Sequence, residues 1–379
     1  MKTRVAIEII KAFYNRNTNF RVLIAVPTEV LREQWNKELA KNQLFSISKV
    51  EIFNTIVKNN YEVDLFIIDE VHLACSTVNI NMFNIVKYKY VLGLTATLER
   101  LDGKDMLLYP YMSICDTVTL NDALENDWIS NYRNYQVLLD VDLTEYHSYD
   151  SSFKRFFACF NNDFKLAMSL LSDRRKLKIW CQKTGKNEGV VIGSLSQMMK
   201  YLKLRKQFVM SHAKKFEVAD KIIQHRSDKK IILFSASIKD SEYFKSSKAL
   251  VLHCKQTKTY NKAVIEKFNS ECSGLLSTSK CADAGVDIQG LNVGIIVSGD
   301  SSKTRTTQRI GRIIRKEEGK IAEIFTLVIK GTIEESWFNN ANKDQSYITI
   351  NEKELDLVLA YNNISKRPKI GVEDLINRF

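Results

Sequence analysis

The residues best suited to chemistry form one short run, Val63-Asp-Leu-Phe-Ile-Ile-Asp69-Glu70-Val71-His72, in which an apolar strand-like segment ends on two adjacent carboxylates. Open α/β sheets bind their ligands at the carboxyl ends of the strands, which is where this run delivers Asp69 and Glu70. Phosphoryl transfer needs one group to hold Mg²⁺ and another to orient the attacking water, and two neighbouring carboxylates supply both. No cysteine pair is closer than nine residues among Cys75, Cys115, Cys159, Cys181, Cys254, Cys272 and Cys281, so neither a zinc site nor a disulfide framework is expected. The seven thiols read as structural residues in a reducing compartment.

The elements that must hold such a site recur twice. Apolar runs at Arg21 to Val26, Asp64 to Ile68 and Tyr90 to Leu94 are followed later by Lys230 to Phe234, Ala249 to His253, Leu275 to Ser277, Gly294 to Val297 and Ala322 to Val328. Near-continuous hydrophobic runs separated by helical patterns mark parallel strands covered on both faces. The chain has 379 residues, more than one core accommodates. Two such sheets are therefore expected.

Between them, residues from about 145 to 228 carry apolar positions at helical spacing, with one turn-rich break at Lys183-Thr-Gly-Lys-Asn-Glu-Gly189, and read as a connector with two helical parts. Residues 151 to 228 hold 17 Lys and Arg against 6 Asp and Glu, most of the formal excess of +12. A basic face of this kind attracts polyanions, and charge reversal at Lys203, Arg205 and Lys206 is expected to weaken binding. A segment starting at Thr332-Ile-Glu-Glu335 begins as a capped helix. Trp35, Trp128, Trp180 and Trp337 are expected in cores or as anchors, and His253 as a partly buried strand-end residue. No window approaches a membrane span and no secretory signal pattern opens the sequence, so a cytoplasmic protein is expected. The abundance of Lys, Asn and Ile suggests an AT-rich genome, bacterial or phage.

The motifs then resemble those of superfamily 2 helicases, in family order over roughly residues 1 to 330. Asp69-Glu70-Val71-His72 is similar to the DExH box, Leu23 to Trp35 with Pro27-Thr28 to motif Ia, and Gly93-Leu-Thr95-Ala96-Thr97-Leu-Glu-Arg100-Leu-Asp102-Gly103 to motif III. Ile231 to Ser235 resembles motif IV, Leu276 to Asp287 motif V, and Gln308-Arg309-Ile-Gly311-Arg312-Ile-Ile-Arg315 motif VI. The ending Arg100-Leu-Asp102-Gly103 is similar to the branch of XPB-type repair helicases, restriction-enzyme motor subunits and phage relatives.

The resemblance implies an α/β fold of two tandem RecA-like parallel-sheet domains, with a helical connector and a short C-terminal extension. Boundaries are expected at 1–135, 136–228, 229–331 and 332–379. It implies an ATP hydrolase that couples turnover to movement along nucleic acid, favouring DNA over RNA, with ATP and Mg²⁺ as cofactors. Asp69 would hold the metal with Thr3, Glu70 would activate water, and Gln308, Arg312 and Arg315 would complete the site, the arginines on one helical face. Lys2, Thr3, His72, Gly285 and Asp287 would contact the nucleotide, Thr95, Ala96 and Thr97 would couple its state, and Pro27, Thr28, Phe234, Ser235 and Thr278 would meet nucleic acid.

The sequence departs from the family where Met1-Lys2-Thr3 stands for the end of a phosphate-binding loop without its glycines, and where Ala284 replaces a frequent acid. A fragment, a split gene whose upstream half supplies the loop, or a non-catalytic nucleic-acid-binding remnant would each account for it.

Overall fold

A computed structural model describes residues 2–98, 100, 102–279, 288–299, 301–343 and 345–361. The chain forms two compact units, one of Met1–Asn131, Cys281–Gln289 and Ser302–Lys320, the other of Tyr132–Lys280, Gly290–Ser301 and Ile321–Phe379.

The first unit is built on a four-stranded sheet. Its elements run α1 (Lys2–Tyr14), β1 (Val22–Val26), α2 (Glu29–Lys41), β2 (Ser48–Ile52), α3 (Phe53–Ile56), β3 (Tyr61–Asp69), α4 (Met82–Ile85), β4 (Val86–Leu94) and α5 (Leu120–Glu125). The strand order is β2-β1-β3-β4 and every pairing is parallel. Side chains alternate between faces with a period of two, so each face receives its own core. Ile24 and Ile67 pack with Ile10, Trp35 and Leu39 from α1 and α2, whereas Leu23, Phe66 and Ile68 pack with Phe53 and Phe83. Coverage on both sides is why β1 and the end of β3 read as uninterrupted apolar runs.

The second unit carries a larger sheet. From Asn131 the chain runs β5 (Asn131–Leu139), α6 (Thr144–Ala158), α7 (Phe164–Ser172), α8 (Arg174–Thr184), α9 (Glu188–Met210), α10 (Ala213–His225), β6 (Lys230–Phe234), α11 (Ile238–Tyr243), β7 (Leu250–Leu252), α12 (Lys258–Ser270), β8 (Gly274–Thr278), β9 (Val293–Ile296), then α13 (Lys303–Ile313), β10 (Ile321–Ile329), α14 (Ile333–Ala341), β11 (Ile348–Asn351) and α15 (Glu352–Tyr361). The sheet order is β11-β5-β10-β9-β6-β8-β7. Helix α13 follows β9 in the chain yet is grouped with the first unit. The expected pair of parallel-sheet α/β domains is present.

Several expectations need correction. Strands β5 and β11, which fall at the expected connector boundary and in the expected C-terminal extension, both pair into the second sheet, parallel to each other. The stretch read as two helical parts contains five helices, α6 to α10. Of these, α6 to α9 share a separate core around Phe153, Phe160, Leu170, Leu177, Leu195 and Met198. Arg205, expected to lie on a binding face, is only 12% exposed, bonds to Asp150 at 2.6 Å and lies 4.3 Å from the Phe153 ring centroid. It holds α9 to α6. Trp128, expected in a core or as an anchor, is 46% exposed and so not a core residue.

Two buried ion pairs tie the second unit together. The ammonium of Lys215 on α10 donates to the Glu334 carboxylate on α14 and, at 2.9 Å, to the carbonyl of Val297. Glu334 also accepts from the amide of Ile329 at 3.0 Å. Burial draws the lysine below its ordinary value and the glutamate above its own. Arg226 reaches both oxygens of Glu323, at 2.7 and 3.2 Å, and donates to the carbonyl of Leu359 at the end of α15 at 3.1 Å. Such donors satisfy the carbonyls that a helix end leaves open.

Candidate active site

The first unit brings most of the expected chemistry to the carboxyl end of β3. Asp69 closes the strand, and Glu70 follows in the left-handed region at φ 52 and ψ 49. A non-glycine residue there costs of order 1–3 kcal/mol and needs support from its surroundings. The turn that follows, Val71 to Leu73, packs tightly on β4: a Cβ at Gly93 would meet Met112 Sδ at 2.7 Å and both Val71 γ-carbons at 3.2 Å. A larger residue there would require the Met112 and Val71 side chains to shift.

Asp69 is buried, and its oxygens take hydrogen bonds from Trp35 Nε1 at 2.9 Å and from the Glu70 amide at 3.0 Å. Burial raises the pKa of its carboxyl above the ordinary carboxylate value, against the pull of Lys2 and the Trp35 bond and with the repulsion of Glu70. Trp35 is a member of this site that sequence reasoning assigned to a core or anchoring role. It is 1% exposed and does pack in the core, but its indole N–H is the polar handle that orients the carboxylate.

Glu70 collects three partners. Lys2 Nζ stands 2.6 Å from Oε1, Gln308 Nε2 donates to Oε2 at 3.4 Å, and His72 Nδ1 lies 3.4 Å from Oε2. His72 is buried, which holds its imidazole below the ordinary value and hence neutral near pH 7, with Glu70 opposing and Lys2 and Arg100 reinforcing. Its tautomer follows from Thr95: that hydroxyl donates to the Thr97 carbonyl at 2.7 Å, so toward Nδ1, 2.9 Å away, it can only accept. His72 therefore carries its proton on Nδ1. Arg100 donates to the carbonyl of His72 at 2.7 Å while gripping Asp102 with two bonds of 2.8 Å, and so ties the motif III ending to the DExH turn.

Helix α13 meets this cluster along one stripe. Thr304 hydrogen-bonds to Thr97 through their hydroxyls at 2.5 Å, and Gln308, one turn on, reaches Glu70. Thr304 was not foreseen, although four-residue spacing to Gln308 places both on one face. Arg312 is the next residue of that stripe. Arg315 departs from expectation: α13 ends at Ile313, and Arg315 sits beyond it in an antiparallel bridge with Ile129, its Nη1 donating to the carbonyl of Ile288 at 3.3 Å. The two arginines thus do not share a helical face.

Among the remaining expected residues, Thr3 lies half-buried on α1 and Ala96 is exposed. Thr28 caps α2 by accepting from the Leu31 amide at 3.3 Å, with half-buried Pro27 before it. In the second unit Phe234, Ser235 and Thr278 are buried, and the Ser235 and Thr278 hydroxyls donate to the carbonyls of Thr278 and Ser279. As folded, these three side chains offer no surface to nucleic acid. Gly285 and Asp287 lie outside the described residues. No group of three or more metal-binding side chains occurs among the described residues.

Residues 214–317 match the family model of the helicase conserved C-terminal domain. The chain is 25% identical over 353 residues to the DNA 3'-5' translocase XPB2 of Sulfurisphaera tokodaii, covering 87% of this chain and 76% of that protein. Among solved structures it is similar to S. cerevisiae Dbp5 L327V bound to RNA and ADP BeF3, with a TM-score of 0.58 at 12% identity over 95% of this chain and 86% of that one. It is also similar to the Hef helicase domain of Pyrococcus furiosus, with a TM-score of 0.51 at 16% identity over 89% and 92%. The structural likenesses show the fold of tandem RecA-like domains, and the family model together with the likeness to XPB2 supports a superfamily 2 helicase. Its relation to XPB2 is consistent with the XPB-type branch.

Proposed function

We propose that this chain is the motor of an ATP-dependent DNA helicase or translocase, with turnover at the Asp69/Glu70 site. The observation that carries the reading is the reach of Gln308 to Glu70, which unites the end of β3 with the motif VI helix in one cluster. Asp69, buried and destabilised as an anion, would gain from a divalent cation, and Thr3 would share it. When bound, Mg²⁺ and ATP supply the electrophilic phosphorus and the charge neutralisation at its oxygens.

The protein's own groups do the rest. Lys2, released from Glu70, would turn its ammonium to the phosphates. Glu70 would then accept a proton from the attacking water, and Gln308 would hold that carboxylate in place. Arg312 and Arg315 would meet phosphate oxygens, where a guanidinium forms paired bonds that lysine does not. His72, Thr95, Ala96 and Thr97 would carry the state of Glu70 to Thr304 and α13. Pro27 and Thr28 would meet the strand through phosphates at the start of α2, and residues 280–287, with Gly285 and Asp287, would add motif V contacts. DNA is favoured over RNA by the likeness to XPB2 and the Arg100-Leu-Asp102-Gly103 ending. In this reading the second motor domain takes strands from 131–139 and 348–351 as well as from 229–331.

The test is ATP turnover stimulated by single-stranded DNA, measured on this chain and on the chain extended by a glycine-rich loop ahead of Lys2. DNA-stimulated hydrolysis in either form that Glu70→Gln abolishes supports the motor. Tight DNA binding with no ATP affinity in either form would leave the non-catalytic binding reading.

A further inference from the structure

We propose that the exposed face of α8 is a second nucleic-acid contact, a backbone-phosphate grip carried by the α6–α9 helical insert and distinct from the helicase motifs. The proposal rests on the reading above only in requiring that the chain bind nucleic acid.

The insert packs around its own core, in which α8 buries Leu177 and Cys181. The rest of α8 and the turn after it are basic: Arg174, Arg175, Lys176, Lys178, Lys183 and Lys186 are all exposed, and residues 174–187 contain no acid. None of the six has a carboxylate partner among the described residues, whereas other bases of the same unit are neutralised. Lys154 and Arg205 pair with Asp150, Lys214 with Glu352, and Lys221 with Asp356. Three of the six occupy the first turn of α8, where the helix dipole favours acids, so the local electrostatics of folding do not account for them. A surface that keeps this much like charge unpaired is suited to a polyanion.

The shape of the patch selects the polyanion. Arg175, Lys176, Ile179 and Lys183 lie on one side of α8, opposite Leu177 and Cys181, and from Arg175 to Lys183 the helix rises about 12 Å, the axial length of about three to four successive phosphates on one strand of B-form duplex. A single small anion would use only a fraction of that row. Half-buried Trp180 beneath Lys186, with 4.8 Å from ammonium to ring centroid, and exposed Ile179 give the row apolar ground for sugars.

The test is binding of the full chain to labelled single strand and to duplex of equal length, by fluorescence anisotropy across about 50 to about 200 mM salt. The variant is Arg174→Glu/Arg175→Glu/Lys178→Glu/Lys183→Glu, whose acids at 174 and 175 sit where the dipole favours them while that at 183 sits where it does not, and its folding is checked by circular dichroism. A matched control reverses Lys255, Lys258, Lys262 and Lys267, exposed bases in and just before α12. Each lost phosphate contact should flatten the slope of log K against log salt by about 0.7 on single strand or about 0.9 on duplex. We expect the α8 variant to lose two or more such contacts and at least about tenfold in affinity, with the control unchanged. Which probe shows the loss tells whether α8 grips a single strand or a duplex. An unchanged slope in the α8 variant overturns the proposal, as does an equal loss in the control, which would reduce the effect to net charge. An α8 variant that loses affinity only for anionic lipid vesicles overturns it too. If the unaltered chain binds neither probe, the motor reading itself falls, a result distinct from these.

Discussion

Lys2–Glu70 and Lys215–Glu334 join the same two functional groups and behave as opposites. The second pair is 0% and 2% exposed, and each partner has a further bond to a backbone group. The first is 34% and 17% exposed, its glutamate sits on a left-handed backbone, and its two other partners stand off at 3.4 Å. A fully bonded buried pair has no alternative partner to take, because separating it leaves bare charge in an apolar interior. A half-exposed pair with loose neighbours gives up little when it separates, since water screens both ends. The contrast marks one as a fastening and leaves the other able to separate, as the proposed role of Glu70 requires.

The largest effect that would sharpen this contrast is on turnover. Glu70→Gln should lower DNA-stimulated ATP hydrolysis by about 10²–10⁴-fold, the range for a lost general base, while leaving the melting temperature nearly unchanged. Phosphate release and a thermal melt on the same sample check both halves, and a variant that melts early would make Glu70 a fastening after all.

Next, Lys215→Met should cost about 3–5 kcal/mol in the second unit by stranding Glu334, read as a lowered urea midpoint. Adding Glu334→Leu should recover most of it. Failure of the double variant to recover would mean that the bonds to Val297 and Ile329, and not the buried charge, dominate there.

A smaller effect is expected from Trp35→Phe, which keeps the ring and removes one donor from Asp69. It should destabilise the first unit by about 1–2 kcal/mol and weaken the apparent affinity for Mg²⁺-nucleotide, with little change in DNA binding. Equal loss of both affinities would show that the indole acts only through packing.

The smallest effect is a pH dependence. The folded constant of Asp69 is raised, so between the unfolded value of about 3.9 and that raised value the native state holds more protons than the unfolded one. Stability from this group is therefore greatest at low pH and declines as pH rises through the window. Asp69→Asn should flatten that decline, and the melting difference between variant and parent should grow as pH rises from about 4. A constant difference would place the cost of Asp69 outside its ionisation.

How far the site was legible depended on which forces set each residue. The end of β3 could be read because a doubly covered parallel strand must be apolar, so its two terminal acids stand out. Strand β2, Ser48–Ile52, lies at a sheet edge with one fully buried residue, and β11, Ile348–Asn351, is equally short and marginal. Strand β5, Asn131–Leu139, begins with polar Asn, Arg and Gln among its apolar residues, and its register comes from the partners it meets. None of these leaves a strong local pattern. The role of Thr304 likewise depends on a partner 207 residues away.

The amino-acid sequence alone determined that two parallel α/β sheets form and that two carboxylates end one of their strands, because burial on both faces and ligand binding at strand ends impose local residue types. Tertiary structure alone decided that Trp35 serves Asp69, that Arg205 is a fastening while α8 stays bare, and that Arg315 lies past the end of its helix. Those outcomes turn on which distant groups share a desolvated space, and the strength of a charge or hydrogen bond is set by that space and not by the residue that carries it.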